Sequence, residues 1–200
     1  MHARLIFVTG ADVTVAAKFL EDRASVIAAQ KGFRQLAASG DRSKGNLSII
    51  SVWDSREDLE ASDSALANLR QEGLTSFGGQ MTVRVFEQVA FEVGETPPLP
   101  GCVLRLVTYQ MDPSQIDENI SWFKSEVLPA MMASPGVRAV RNLVDRETGE
   151  GRVGSVYSDQ SAMESSEGGR AQRMAAAGER GIEFGEESVL EVLFGQMSTS

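Results

Sequence analysis

A single cysteine, Cys102, rules out an intrachain disulfide. The fold must therefore be held by its core, which fits a reducing compartment. The single histidine, His2, sits at the terminus and reads as a surface residue, and no His/Cys cluster of metal-ligand spacing can be assembled. No stretch approaches the roughly 18 apolar residues of a membrane span. The short apolar run near the start gives way at once to Asp12, too soon for a secretory leader. Positive charge is also scarce: 19 Lys and Arg against 28 Asp and Glu leave a formal charge of −9. That sign opposes non-specific binding to nucleic acid or to an anionic membrane surface. These absences point to a soluble, cytoplasmic protein with no nucleic-acid or membrane partner. The sequence also lacks a nucleophile–base pair and a phosphate loop.

What is present is an ordinary globular composition, 42% hydrophobic and 24% charged, in a chain long enough to bury its own core. It carries an internal repeat. Gly32-Phe33 and Gly136-Val137 each follow an amphipathic stretch and open an apolar run. Trp53-Asp54 and Tyr157-Ser158 each close an apolar run and open a helical one. Phe19 and Phe123 sit mid-helix, and Val85-Phe86-Glu87 matches Val189-Leu190-Glu191. The separation within every pair is the same. Between the copies, Gly94-Glu-Thr-Pro-Pro-Leu-Pro-Gly101 cannot continue a helix or a central strand. The division expected is 1–93 for the first unit, 94–101 for a linker, 102–196 for the second unit and 197–200 for a tail, with fraying from Gln196.

Each copy reads β-α-β-β-α-β. In the first, Ala3–Thr9 is a strand, Asp12 is an N-cap, and Ala16, Leu20, Ala24 and Ile27 recur at helical spacing. Gly32 closes that helix. Phe33–Ala38 and Leu47–Trp53 are strands around a Gly/Asp/Ser turn, Asp54 with Glu57 has capping-box spacing, and Met81–Val93 is the fourth strand. In the second, Cys102–Tyr109 is a strand. Ile116, Ile120, Phe123, Val127 and Met131 form a helical stripe that Pro129 should kink or tighten. Val137–Val144 and Gly151–Tyr157 form a hairpin. Ser158 caps the last helix, Gly168-Gly169 should break it, and Ser188–Phe194 is the final strand. Runs such as Leu5-Ile6-Phe7-Val8 do not alternate between apolar and polar, as strands covered on both faces do not. Two helices cover one face of each sheet. The expected fold class is therefore α+β: two ferredoxin-like β-α-β-β-α-β units with their sheets packed face to face and helices outside.

This order of elements resembles the dimeric α/β-barrel superfamily. Within it, Ser51-Val-Trp-Asp-Ser-Arg-Glu-Asp-Leu-Glu-Ala61, and more weakly Ser155-Val-Tyr-Ser-Asp-Gln-Ser-Ala-Met163, is similar to the strand-to-helix junction of antibiotic-biosynthesis-monooxygenase-like domains. The resemblance implies a tandem arrangement, a pseudo-dimer within one chain that is itself a monomer or a homodimer. It also implies a cofactor-independent oxygenase acting on an aromatic molecule, with no bound cofactor. A non-catalytic ligand-binding or stress-associated protein is the alternative, because no acid–base constellation stands out. The haem-degrading branch uses a histidine late in the second helix and a nearby tryptophan. This chain has Leu69 or Arg70 and Ser62 near those positions, so it departs from that mechanism.

Arg84, Arg105, Arg138, Arg141 and Asn142 lie inside strands, where a polar group needs either water or a partner. They read as edge residues and salt bridges, or as the lining of a pocket for a small aromatic ligand. Tyr109, Trp122, Arg141 and Asn142 are candidates for such a lining, with Trp53 and Tyr157 at the strand-to-helix corners. The first copy's opening helix is rich in alanine, whereas the second carries Trp122, Phe123 and Met131-Met132. A ligand site is therefore expected in the second half alone.

Overall fold

A computed structural model of the chain describes residues 1–198. The eight strands are β1 (His2–Thr9), β2 (Phe33–Asp41), β3 (Asn46–Trp53), β4 (Gln80–Val93), β5 (Val103–Gln110), β6 (Val137–Val144), β7 (Glu150–Tyr157) and β8 (Glu183–Met197). The helices are α1 (Val13–Ala28), α2 (Arg56–Phe77), α3 (Ile116–Trp122), α4 (Leu128–Met132), α5 (Gln160–Ser165) and α6 (Glu167–Glu179). The order is α+β and each unit is ferredoxin-like.

Contacts divide the chain into two compact units. One comprises Met1–Phe86 with the chain from Leu190 on, and the other comprises Glu87–Val189. The division falls inside two long strands, so β4 and β8 each contribute one half to either unit. In the first unit β3 lies between β1 and β2, antiparallel to both, and the last part of β8 pairs with β2. In the second unit β7 lies between β5 and β6, and the last part of β4 pairs with β6. Residues 94–101 carry no helix or strand. Burial in β1 and β3 runs nearly without alternation and takes in the polar residues Arg4, Ser48 and Ser51.

The first unit's core is one cluster. Ala16, Leu20, Ala24 and Ile27 of α1 and Leu59, Leu66 and Phe77 of α2 meet Ile6, Leu36, Ile49 and Trp53 of the sheet. The alanines let α1 lie close to the strands. In the second unit Phe123, Val127, Leu128 and Met131 pack on Ala90 and Val140, while Ile116 packs with Val89, Tyr109 and Val144.

Several local expectations shift. Helix α2 is capped by Ser55 rather than Asp54. The Asp58 amide donates to Ser55 Oγ at 3.1 Å, and that hydroxyl donates to the Asp58 carboxylate at 2.8 Å. Asp54 instead holds Arg34 through two bonds, of 2.6 and 2.8 Å. Helix α5 is likewise capped by Asp159, one residue beyond Ser158. Helix α1 ends at Ala28 before Gly32, whose φ of 73° turns the chain toward β2. The break in the last helix falls at Ser166, ahead of Gly168-Gly169, where the Ser166 hydroxyl donates to the Met163 carbonyl. Pro129 is accommodated by a wide π-helical turn over Phe123–Val127, a widening where a kink or tightening was expected. Gln196 and Met197 do not fray: they pair with Leu36 and Gln35. The rest of that expected tail, Thr199 and Ser200, lies outside the described residues. No helix among them is long and apolar enough to cross a membrane.

The cap assignment is testable. Ser55→Ala should destabilise the protein by about 1 kcal/mol. Asp54→Ala, which removes only an exposed ion pair, should cost ~0–1 kcal/mol. Chemical denaturation of both variants gives the comparison, and a larger loss for Asp54→Ala would contradict it.

Candidate functional site

Strand parity builds the site. In β5, Arg105, Val107 and Tyr109 alternate onto one face of the second unit's sheet. Across the ladder Arg105 lies opposite Ser155, Val107 opposite Val153, and Tyr109 opposite Gly151, while Asn142 of β6 lies opposite Val153. Above this face run α3, the π turn, α4 and α6. Between sheet and helices lies a cavity of about 90 Å3, walled by Tyr109, Trp122, Phe123, Met131, Tyr157, Met174 and Phe184, with Arg105, Asn119, Asn142, Ser155, Arg170 and Arg173 among its polar residues. That volume is room for roughly six to nine water positions. The corresponding space in the first unit, about 60 Å3, is lined by Ile6, Phe19, Leu20, Leu36, Ile49 and Phe77 with Arg4 and Arg70 at its edge. A shallow groove between α1 and α2 is larger, about 600 Å3, but it is open and lined by Phe19 with the polar residues Arg23, Asn68, Gln71 and Glu72.

Tyr109 is held deep in the cavity wall. Its hydroxyl lies 2.8 Å from Asn142 Oδ1 and 3.0 Å from the Leu143 carbonyl. Burial pushes its pKa well above the usual tyrosine value, against the opposing effects of Asn142 and Arg152, so the phenol stays protonated and serves as a donor. The ring fits because its neighbour across the ladder is glycine: a Cβ on Gly151 would come within 2.0 Å of Tyr109 Cζ. Trp122 lies under the Arg180 guanidinium, 5.0 Å from the ring centroid, and Arg180 Nε donates to Asn119 Oδ1 at 3.1 Å.

Arg105 is the buried cation of the site, only 5% exposed. Its Nη2 donates to Glu167, its Nε lies 3.2 Å from Glu187, and its guanidinium sits 5.9 Å from the Tyr157 ring. Arg170 bridges the same two carboxylates. Burial would raise the Glu167 pKa, but the Arg105 bond and the two cations outweigh it and hold the carboxylate below its ordinary value. Arg173, half-buried in the cavity wall, makes no ion pair among the described residues; burial pushes its pKa down.

Of the residues expected to line a pocket, Tyr109, Trp122, Asn142 and Tyr157 border this cavity. Arg141 does not. As the strand neighbour of Asn142 it faces the other way, its guanidinium 4.1 Å from the Phe91 ring, and burial drives its pKa down to about 9. Trp53 belongs to the first unit, fully buried against Phe33 at 5.8 Å between centroids. Sequence reasoning missed Glu167, Glu187, Arg170 and Arg173. A signal for Glu167 existed: Ser62-Asp63 and Ser166-Glu167 keep the separation of Trp53 and Tyr157. Among the described residues no group of three or more His, Cys, Asp or Glu could hold a metal ion.

Gly151→Ala should force Tyr109 out of its seat and cost about 1–3 kcal/mol, the range for overpacking. Equilibrium denaturation measures it, and unchanged stability would show that the tyrosine is not confined there.

No protein-family model matches the chain. Among curated proteins it is 28% identical over 124 residues to the uncharacterized protein Rv2557 of Mycobacterium tuberculosis, covering 62% of this chain and 55% of that one. To Rv2558 of the same organism it is 24% identical over 105 residues, covering 52% and 44%. The chain thus spans about half the length of the curated relatives it matches. Among solved structures it is similar to a protein from Lactobacillus acidophilus with a provisional monooxygenase assignment (TM-score 0.72, 13% identity, covering 98% and 96%). It is also similar to an anthrone oxidase-like protein (TM-score 0.65, 15% identity, covering 100% and 94%). A third neighbour, from Listeria monocytogenes, is a ferredoxin-fold protein related to antibiotic biosynthesis monooxygenases (TM-score 0.55, 8% identity, covering 95% and 94%). The fold is that of these ferredoxin-like, monooxygenase-like proteins.

Proposed function

We propose that the second unit's cavity receives a small planar aromatic molecule and that the chain acts on it as a cofactor-independent oxygenase. The observation that carries this reading is the composition of the cavity wall. Aromatic and thioether side chains of Tyr109, Trp122, Phe123, Tyr157 and Met131 surround the space, and a few fixed polar groups, Asn142 and Arg105 among them, break it. Small-molecule sites are built in this way, and the first unit's cavity, although Arg4, Ser51 and Arg70 border it, has no tyrosine, tryptophan or asparagine in its wall.

The chemistry needs no resident group. A ring carbon flanked by a carbonyl or phenol loses a proton to give an electron-rich anion, and that anion reduces dioxygen. Written in full, a CH2 group plus O2 gives C=O plus H2O. All the electrons come from the substrate, one oxygen atom stays on carbon and the other leaves as water. The protein's contribution is to exclude bulk water, to hold the ring between Trp122 and the sheet, and to stabilise the anion with the cations at the cavity edge. The name of the anthrone oxidase-like neighbour fits this class of reaction.

A non-catalytic binding protein is the second reading, and one observation favours it. Among the described residues no carboxylate lines the cavity, and those next to its arginines, Glu167 and Glu187, are both tied to them, so neither is poised to take a proton from carbon. Calorimetric titration with a panel of one- and two-ring phenols, run beside an oxygen electrode, separates the readings. Saturable binding with oxygen consumed in proportion to product is expected, and Trp122→Ala should weaken binding roughly five- to tenfold. Binding without oxygen uptake would favour the second reading, and no binding across the panel would contradict both.

A further inference from the structure

The two units carry a similar arrangement around a buried arginine, all but its second arginine at equivalent positions. An arginine on the first strand (Arg4, Arg105) lies 5.9 Å from an aromatic ring at the end of the third (Trp53, Tyr157). A serine on the second helical segment (Ser62, Ser166) bonds the carbonyl three residues before it. The acidic residue after that serine (Asp63, Glu167) pairs with the arginine. A second arginine (Arg70, Arg170) joins the same acid.

They differ in what the arginine has left to give. In the first unit both terminal nitrogens of Arg4 are used inside the protein. Nη1 donates to Ser62 Oγ at 3.0 Å, and Nη2 donates to the Leu59 carbonyl at 2.6 Å and meets Asp63 at 2.9 Å. In the second unit Nη2 of Arg105 donates to Glu167 and Nε lies 3.2 Å from Glu187 without forming a hydrogen bond, as the buried Nε of Arg4 also lacks one, while Nη1 is buried with no hydrogen-bond partner among the described residues. The aromatic partner differs too. The Trp53 indole N–H is satisfied by Ser51 Oγ within its own strand, at 3.1 Å. In the second unit Ser166 Oγ donates to the Met163 carbonyl at 2.7 Å and lies 3.3 Å from the Tyr157 hydroxyl, and it is not a partner of Arg105 Nη1. A buried N–H of a cation without an acceptor is costly, and this one belongs to a residue of the cavity wall.

We infer that Arg105 Nη1 is the anchor for an anionic oxygen of the ligand, so that the cavity selects aromatic carboxylates and phenolates over neutral rings of the same shape. Arg173, without an ion-pair partner on the same wall, adds to the positive field. A charge-assisted bond at a desolvated site is the strong kind, and in the first unit both terminal nitrogens of Arg4 are already engaged. This inference rests on the reading of the cavity as an aromatic-ligand site, and the experiment separates the two.

The probes are 2-naphthoate and its neutral isostere 2-naphthamide, titrated calorimetrically at pH 7 into the full chain. The wild type should bind the carboxylate at least tenfold more tightly than the amide. Arg105→Met should bring that ratio close to one. The wild-type ratio does not depend on any variant folding. Equal affinities in the wild type would overturn the anchor while leaving the cavity reading intact. A ratio retained in Arg105→Met would overturn the assignment to this residue. Failure of both probes to bind would overturn the anchor together with the reading beneath it.

Discussion

A guanidinium buried on the first strand of each unit is the constraint around which the rest is arranged. Removing such a cation from water costs several kcal/mol unless it is paired and hydrogen-bonded. Burial pushes the Arg4 pKa down, and Asp63 works against it. Each unit therefore needs a carboxylate on its second helical segment, brought over the sheet at the level of that strand. It also needs the ring at the end of the third strand, whose face shields the cation. The strand-to-helix junction that joins ring to carboxylate is consequently short and firmly capped, by Ser55 in one unit and Asp159 in the other.

From that shared frame the units diverge through the hydrogen-bonding habits of two aromatic residues. An indole has a single donor close to its own backbone, and Trp53 spends it locally on Ser51. A phenol carries its hydroxyl at the far end of the ring, and Tyr157 reaches a different element. The arginines differ as well: both terminal nitrogens of Arg4 are engaged, whereas Nη1 of Arg105 has no hydrogen-bond partner among the described residues. The same divergence extends to the helices. Small alanines bring α1 close to its sheet, whereas the bulky stripe and wide π turn before Pro129 set the second unit's helix over a space edged by polar atoms. The substrate chemistry proposed for that space depends on the cation at its edge.

Much of the fold was legible because strands and helices repeat their apolar residues with different periods, and because two copies report on one another. What was not legible has identifiable causes. Asp54 and Ser55 are adjacent and both can cap a helix; only the competing pull of Arg34 on Asp54 decides between them. Arg141 and Asn142 are neighbours in one strand, so alternation requires that just one can face the cavity, but the face is chosen by the helices packed above. Pro129 announces an irregularity without saying whether the helix will tighten or widen. Glu167, Arg170 and Arg173 look like the solvated side of a polar helix until the strand beneath is seen to carry Arg105.

The most direct test of the account is a crystal structure of the chain with 2-naphthoate bound. The account places the ring among Tyr109, Trp122 and Tyr157, with a carboxylate oxygen within about 3 Å of Arg105 Nη1. A ligand seated in the first unit's cavity, or one in the second unit whose carboxylate turns to solvent and leaves Nη1 to a water molecule, would contradict it.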